Sequence, residues 1–173
     1  YIYTYQWAHY IAEVVKDKQS EIPVAVGGGY PSMLADDVMK DGNIDYLIIG
    51  EGEISIIQLL GYLNSGDSRD ISKIGGIAHR INNKVNINPT ITYIDELDNL
   101  PFPAWDLIDY EKHMTFKKKR KLHIVSSRGC PYRCTFCGSH KYWGRAFRKR
   151  SAENVLNEID YLIENFNPKE VDF

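Results

Sequence analysis

Two short apolar runs, Val24-Ala25-Val26 and Tyr46-Leu47-Ile48-Ile49, each end in glycine and are each followed by apolar residues at helical spacing. Runs this short suit strands of a parallel sheet covered on both faces. The spacing predicts a helix over residues 5–18 with Trp7, Ile11, Val14 and Val15 on one face. It predicts a second helix capped by Ser32, with Leu34 and Val38 turned inward, broken by Asp41-Gly42-Asn43. A third starts at about Glu53 and buries Ile56, Ile57, Leu60 and Leu63. Helix, strand, helix, strand, helix is an α/β order. Two strands are too few for such a sheet, so more are expected before Tyr1, and the chain reads as a fragment.

After a Gly-, Ser- and Asp-rich loop at 64–76, the period changes to two. Ile77, His79 and Ile81 alternate, then Val85 and Ile87, around Asn82-Asn83. This is a hairpin signature, because asparagine tolerates the positive φ that a tight hairpin turn needs. Leu97 to Trp105 is apolar but broken by Pro101 and Pro103, and reads as a connector that packs on a neighbour. Leu122-His123-Ile124-Val125-Ser126 is a predicted strand. Ser151 then caps a long helix carrying Val155, Leu156, Ile159, Leu162, Ile163 and Phe166, which Asn167-Pro168 stops. Val171-Asp172-Phe173 opens the next strand, giving a β-α-β unit.

All three cysteines, Cys130, Cys134 and Cys137, fall in eight residues directly after the predicted strand at 122–126. None remains for a distant disulfide, and such clustering points to a metal or to catalysis. Pro131 and Gly138 keep the segment out of helix. Three thiolates can fill three corners of a four-iron cluster and leave one iron open to a substrate or cofactor. A zinc site using the three cysteines and His140 competes, but its spacing departs from the paired ligands of zinc fingers. A ferredoxin-type cluster wants a fourth cysteine.

Ser127-Arg128-Gly129-Cys130-Pro131-Tyr132-Arg133-Cys134-Thr135-Phe136-Cys137 closely resembles the cluster loop of the radical S-adenosylmethionine superfamily. Trp143-Gly144-Arg145, Arg148-Lys149-Arg150-Ser151, Glu153-Asn154-Val155 and Glu158-Ile159 also resemble that superfamily, in the stretch C-terminal to its cluster loop. The resemblance implies that Cys130, Cys134 and Cys137 ligate a 4Fe-4S cluster whose open iron chelates S-adenosyl-L-methionine, with Phe136 near the adenine. Reductive cleavage would then release a 5′-deoxyadenosyl radical. The glycine- and acid-rich segment that helps to hold the methionine amine would come after Phe173.

Val24-Ala25-Val26-Gly27-Gly28-Gly29 and Asp45-Tyr46-Leu47-Ile48-Ile49-Gly50-Glu51-Gly52-Glu53 resemble the C-terminal half of cobalamin-binding domains that precede such barrels. On physics alone, these glycines equally suit ordinary strand-to-helix turns. The stretch from Leu97 to Asp106 resembles the connector between those domains. The implied fold class is α/β: half of a Rossmann-like (flavodoxin-like) cobalamin-binding domain, a hairpin and connector, and the first βαβ of a partial TIM-type barrel. The boundaries read as 1–66, 67–116 and 117–173. Gly27, Gly28, Gly29, Gly50, Glu51, Gly52 and Glu53 are the candidate cobalamin contacts. One departure is that no D-x-H-x-x-G motif supplies an axial histidine. Methylthiotransferases of this kind carry three more cysteines in the N-terminal domain, and residues 1–110 have none.

The implied activity is methyl transfer to an unactivated carbon, with cyclisation or rearrangement as runner-up and a non-catalytic zinc or iron–sulfur module as the binding-class alternative. The fragment alone is expected to be inactive. The expected partners are a small-molecule or peptide substrate and an electron donor such as flavodoxin or ferredoxin, in the cytoplasm. A formal net charge of −2 gives no reason to expect nucleic acid. No apolar run is long enough to span a membrane. The run Lys117 to Lys121 reads as a solvated loop, and Arg145, Arg148 and Arg150 as a solvated face. His140 is a candidate for a hydrogen bond near the cluster. His9 and His79 read as surface residues. Glu51 and Glu53 suit acid–base work, but a helix N-terminus favours carboxylates in any case.

Overall fold

The computed structural model describes residues 2–65, 70–109 and 120–173. Lys117 to Lys119 and part of the 64–76 loop lie outside the described residues. By packing, the chain forms two units: Tyr1–Tyr93 with Cys130–Arg145, and Ile94–Gly129 with Ala146–Phe173. No described helix is long and apolar enough to cross a membrane.

The first unit contains a four-stranded sheet in the order β1 (Ala25–Val26), β2 (Tyr46–Ile48), β3 (Ile77–Ile81), β4 (Lys84–Asn88). β1 and β2 are parallel, whereas β2–β3 and β3–β4 are antiparallel. The fold is therefore α/β with a mixed sheet, not the wholly parallel one that the alternation suggested. The cause is the hairpin. Asn82 and Asn83 take φ of 49° and 61°, the turn closes, and β3 pairs with β2 instead of standing apart. Hydrophobic periodicity identifies strands but does not say which strand pairs with which.

Both faces of the sheet are covered. Leu47 and Ala78 point into one core with Ala12, Val38, Met39, Ile44 and Ile49. Ile48 and Ile77, one residue along, face a second core with Leu59, Ile71 and Ile74. Helix α1 (Ile2–Lys18) buries the expected stripe only in part, with Val14 and Val15 half-buried. Ala12 is buried and Tyr5, Ala8 and Val15 are half-buried, while Trp7 is 67% exposed and Ile11 also faces solvent. Alanine brings the helix backbone close to the sheet, and Tyr5 stacks on Tyr30 with ring centroids 4.9 Å apart.

The second expected helix is two short ones, α2 (Gly29–Met33) and α3 (Ala35–Val38), broken at Leu34. Gly28, not Ser32, occupies the cap, and Leu34 faces outward while Val38 is buried. Helix α4 (Glu53–Asn64) starts as expected, but it buries Ser55 and Leu59 and exposes Ile57 and Leu60. His79 is only 3% exposed, which corrects the surface reading. It shares a strand face with Ile77, so the alternation that buries Ile77 buries His79 too.

The second unit contains β5 (Lys121–His123) parallel to β8 (Glu170–Asp172), joined through helix α6 (Ala152–Phe166). The Ser151 hydroxyl accepts the Asn154 N–H at 3.1 Å, which makes it the predicted N-cap. Asn167 ends the helix in the left-handed conformation. Leu162 packs with Leu122 and Ile124, but Leu156 and Ile163 face solvent. A short β6 (Ser127–Arg128) pairs antiparallel with β7 (Arg148–Lys149), an addition that the sequence pattern did not signal.

The connector packs as expected. Leu97 is buried, Trp105 joins the Leu122 core, and Asp98 accepts the Ser151 N–H at 2.9 Å. Arg148 and Arg150 are not a solvated face. Arg148 is buried and donates to the Ile94 carbonyl at 2.8 Å. Arg150 forms an ion pair with the buried Glu158, donates to Asn154 Oδ1 at 2.6 Å and lies over the Phe102 ring.

Candidate functional site

A backbone hydrogen bond ties the start of the cysteine loop to a residue beyond it, and a second closes a turn within the loop. Cys130 N–H donates to the Gly144 carbonyl, and Cys137 N–H donates to the Cys134 carbonyl, both at 3.2 Å. Arg145, beyond the loop, donates to the Tyr132 carbonyl at 2.9 Å. The short helix α5 (Ser139–Trp143) comes directly after the loop. All three cysteines are free thiols, with Cys134 exposed and Cys130 and Cys137 half-buried. Cys137 Sγ lies 3.2 Å from Ser139 Oγ. The Ser139 side chain, and then its backbone N–H, hold the Cys137 thiol below its usual pKa, with partial burial opposing them. His140 Nδ1 sits 3.1 Å from the Cys137 carbonyl oxygen, close to the loop as expected.

The loop lines a cavity of about 690 Å³ together with the first glycine turn. Phe136, Cys137 and Trp143 contribute from the loop and α5, and Gly29 and Met33 from α2. Gly138 packs directly on the Met33 sulfur, so the two segments meet without an intervening side chain. Phe136 is 92% exposed, with its ring presented to open space.

The two glycine turns are tied to each other by a residue read from sequence only as a cap. Ser32 Oγ donates to the Gly28 carbonyl at 2.7 Å and accepts the Gly50 N–H at 2.9 Å. Gly28 and Gly50 have φ of 106° and 78°, values that side-chain-bearing residues rarely adopt. A Cβ on Gly28 would meet nothing within 4 Å, so its backbone is open to approach; one on Gly50 would strike Ile91. Gly27 packs against Ile48. Glu51 is buried, Gly52 precedes α4 as its cap, and Glu53 begins it. Of the candidate cobalamin residues, Gly29 lines the cavity; Gly27, Gly28 and the turn from Gly50 to Glu53 do not.

The donor set can be tested against the groups it was expected to hold. Among the described residues, no three Cys, His, Asp or Glu side chains converge where a single metal ion could sit. Tetrahedral zinc, with Zn–S bonds of about 2.3 Å, needs its thiolates roughly 3.8 Å apart. In a four-iron cluster each cysteine binds a different iron, and the sulfurs stand further apart. Three free thiols on one loop are the donor type that such a cluster takes.

Sequence reasoning missed Met33 and Ser139 as parts of this site. Nothing in the sequence marked Met33. Ser139 carried a signal, since it lies two residues past the last cysteine, within reach of its sulfur.

No family model matches the chain. It is 29% identical to an uncharacterized methyltransferase of Pyrococcus horikoshii, over 96% of this chain and 36% of that protein. It is 28% identical to the cytidylyl-2-hydroxyethylphosphonate methyltransferase of Streptomyces wedmorensis, over 92% and 36%. It is 29% identical to the anaerobic magnesium-protoporphyrin IX monomethyl ester cyclase of a Synechocystis strain, over 86% and 29%. The chain thus spans about a third of the length of these relatives. Its fold is similar to the cobalamin-dependent S-adenosylmethionine radical enzyme OxsB, solved with aqua-cobalamin and S-adenosylmethionine bound. That match has a TM-score of 0.73 at 23% identity, over 97% of this chain and 23% of that one. It is also similar to the radical S-adenosylmethionine methyltransferase TsrM of Kitasatospora setae, solved with cobalamin and a [4Fe-4S] cluster. There the TM-score is 0.66 at 17% identity, over 91% and 32%. The relatives are methyltransferases and a cyclase, and the structural neighbours are cobalamin-dependent radical S-adenosylmethionine enzymes.

Proposed function

We propose that this chain is part of a cobalamin-dependent radical S-adenosylmethionine enzyme that transfers a methyl group to an unactivated carbon. One observation carries the reading: Gly29 of the first glycine turn and Cys137 of the cysteine loop line the same cavity. Cofactors held by those two segments would meet there. In this reading residues 1–66 contribute half of the cobalamin domain, 67–116 the hairpin and connector, and 117–173 the start of the barrel.

Cys130, Cys134 and Cys137 would hold the 4Fe-4S cluster and leave it able to bind S-adenosylmethionine. When bound and reduced, this pair supplies a 5′-deoxyadenosyl radical. The protein's part is to position. Backbone hydrogen bonds at Cys130 and Cys137 fix the loop that carries the thiols. Phe136 offers an exposed aromatic face on which an adenine can stack. Ser32 locks the two glycine turns into one rigid edge, and Gly28 leaves its backbone open to a large planar cofactor. The substrate is a small molecule or peptide, the electron comes from a donor such as flavodoxin or ferredoxin, and the reducing cytoplasm suits the thiols. A second reading, radical cyclisation, is supported by the likeness to the anaerobic ester cyclase.

Anaerobic reconstitution with iron and sulfide tests the reading. The expected result is a brown protein whose reduced cluster gives an electron paramagnetic resonance signal that changes on adding S-adenosylmethionine. Cys134→Ala should abolish both. A colourless protein holding stoichiometric zinc, or a variant that keeps the signal, overturns it.

A further inference from the structure

The cysteine spacing ends at Cys137, but the polar environment of its sulfur does not. As a free thiol Cys137 Sγ donates to Ser139 Oγ at 3.2 Å; as a thiolate the sulfur can only accept, and the hydroxyl becomes the donor. The hydroxyl sits at a defined point, because Ser139 opens α5 and the preceding Gly138 is packed on the Met33 sulfur. It also lines the cavity shared with Gly29.

Hydrogen bonds to the sulfurs of an iron–sulfur cluster are one of the levers that set its reduction potential. An added electron increases the negative charge on the sulfurs, so a donor aimed at one of them stabilises the reduced form more than the oxidised form. We infer that Ser139 is a positioning residue whose hydroxyl, donating to the Cys137 thiolate, raises the reduction potential of the cluster. This rests on the cluster assignment under the proposed function and extends it to a residue outside the cysteine motif.

The test is a redox titration of the anaerobically reconstituted protein, followed by electron paramagnetic resonance. Wild type is compared with Ser139→Ala and Ser139→Thr at matched iron and sulfide content. Ser139→Ala should move the midpoint to a more negative potential, while Ser139→Thr, which keeps a hydroxyl, should stay near wild type. A fully loaded Ser139→Ala protein with an unmoved midpoint overturns the role of Ser139 and leaves the cluster reading standing. So does a Ser139→Ala protein that fails to load iron, since the hydroxyl would then serve assembly instead of tuning. A wild-type protein that takes up no iron overturns both.

Discussion

Ser32 holds Gly50 in place: its hydroxyl accepts the Gly50 N–H at 2.9 Å while donating to the Gly28 carbonyl at 2.7 Å. Two turns well separated in the chain are joined through one oxygen. Ser32→Ala removes a donor and an acceptor together and strands a partly buried Gly50 N–H. Losing a hydrogen bond while leaving its partner unsatisfied costs about 1–3 kcal/mol. Urea unfolding should show a loss in that range, and an unchanged midpoint would mean that water replaces the hydroxyl freely.

Gly50 and Gly42 offer a paired test of backbone strain. Gly50 has φ of 78°, and an added Cβ would come within 2.9 Å of Ile91; at Gly42 a Cβ would meet nothing within 4 Å. The left-handed conformation costs a side-chain-bearing residue roughly 1–2 kcal/mol, and overpacking adds about 1–3 kcal/mol. Gly50→Ala should therefore destabilise the first unit by about 2 kcal/mol or more. Gly42→Ala should stay within roughly 0.5 kcal/mol of wild type. Equal midpoints for the two variants in the same denaturation series would contradict the assigned turn.

That the three cysteines would share one loop was legible because its information is local: Cys130, Cys134 and Cys137 fall within eight residues, and all three are free thiols there. Asn82-Asn83 was legible for the same reason, since two asparagines tolerant of positive φ specify a tight turn without reference to the rest of the chain. What failed depended on packing partners. Trp7 and Ile11 are apolar and helically spaced, yet α1 turns Ala12 to the sheet core. Burial runs one way as a rule, because buried residues are mostly apolar but apolar residues are often exposed. The mixed sheet was missed because a hairpin pattern does not reveal that its first strand will pair with β2. Ser32 was read as a cap because serine favours that position, when its hydroxyl instead bonds back one turn, as serine within helices does.

His79 gives the fold an acid-sensitive point. It is buried on the face of β3 that carries Ile77, and among the described residues neither ring nitrogen has a hydrogen-bond partner. Burial lowers its pKa, while Asp70 pulls weakly the other way. At pH above the unfolded value of about 6.5, both states are neutral at this residue and folding is unopposed. As pH falls from there toward the folded pKa, the unfolded chain takes up a proton that the folded chain refuses, and stability drops. The slope from one proton is at most about 1.4 kcal/mol per pH unit. Between about pH 7 and pH 5, His79→Leu should lose less stability than wild type in matched urea titrations. Parallel pH profiles would show that His79 does not titrate in this range.

Arg150 and the buried Glu158 form an ion pair in the second unit. Glu158 is 1% exposed and paired with Arg150, which also lies over the Phe102 ring at 5.5 Å, and Trp105 Nε1 approaches the same carboxylate at 3.4 Å. Helix α6, the connector and the strand-end segment at Arg150 therefore converge on one carboxylate. Removing one member of a buried pair strands the other charge and costs about 3–5 kcal/mol, whereas replacing both with apolar residues is often neutral. Glu158→Leu alone should destabilise strongly because Arg150 is left without its counter-charge. Glu158→Leu with Arg150→Met should recover most of that loss, which thermal unfolding of the single and double variants would reveal. A double variant no more stable than Glu158→Leu would mean that the carboxylate's bond to Trp105, and not the ion pair, holds the connector to α6.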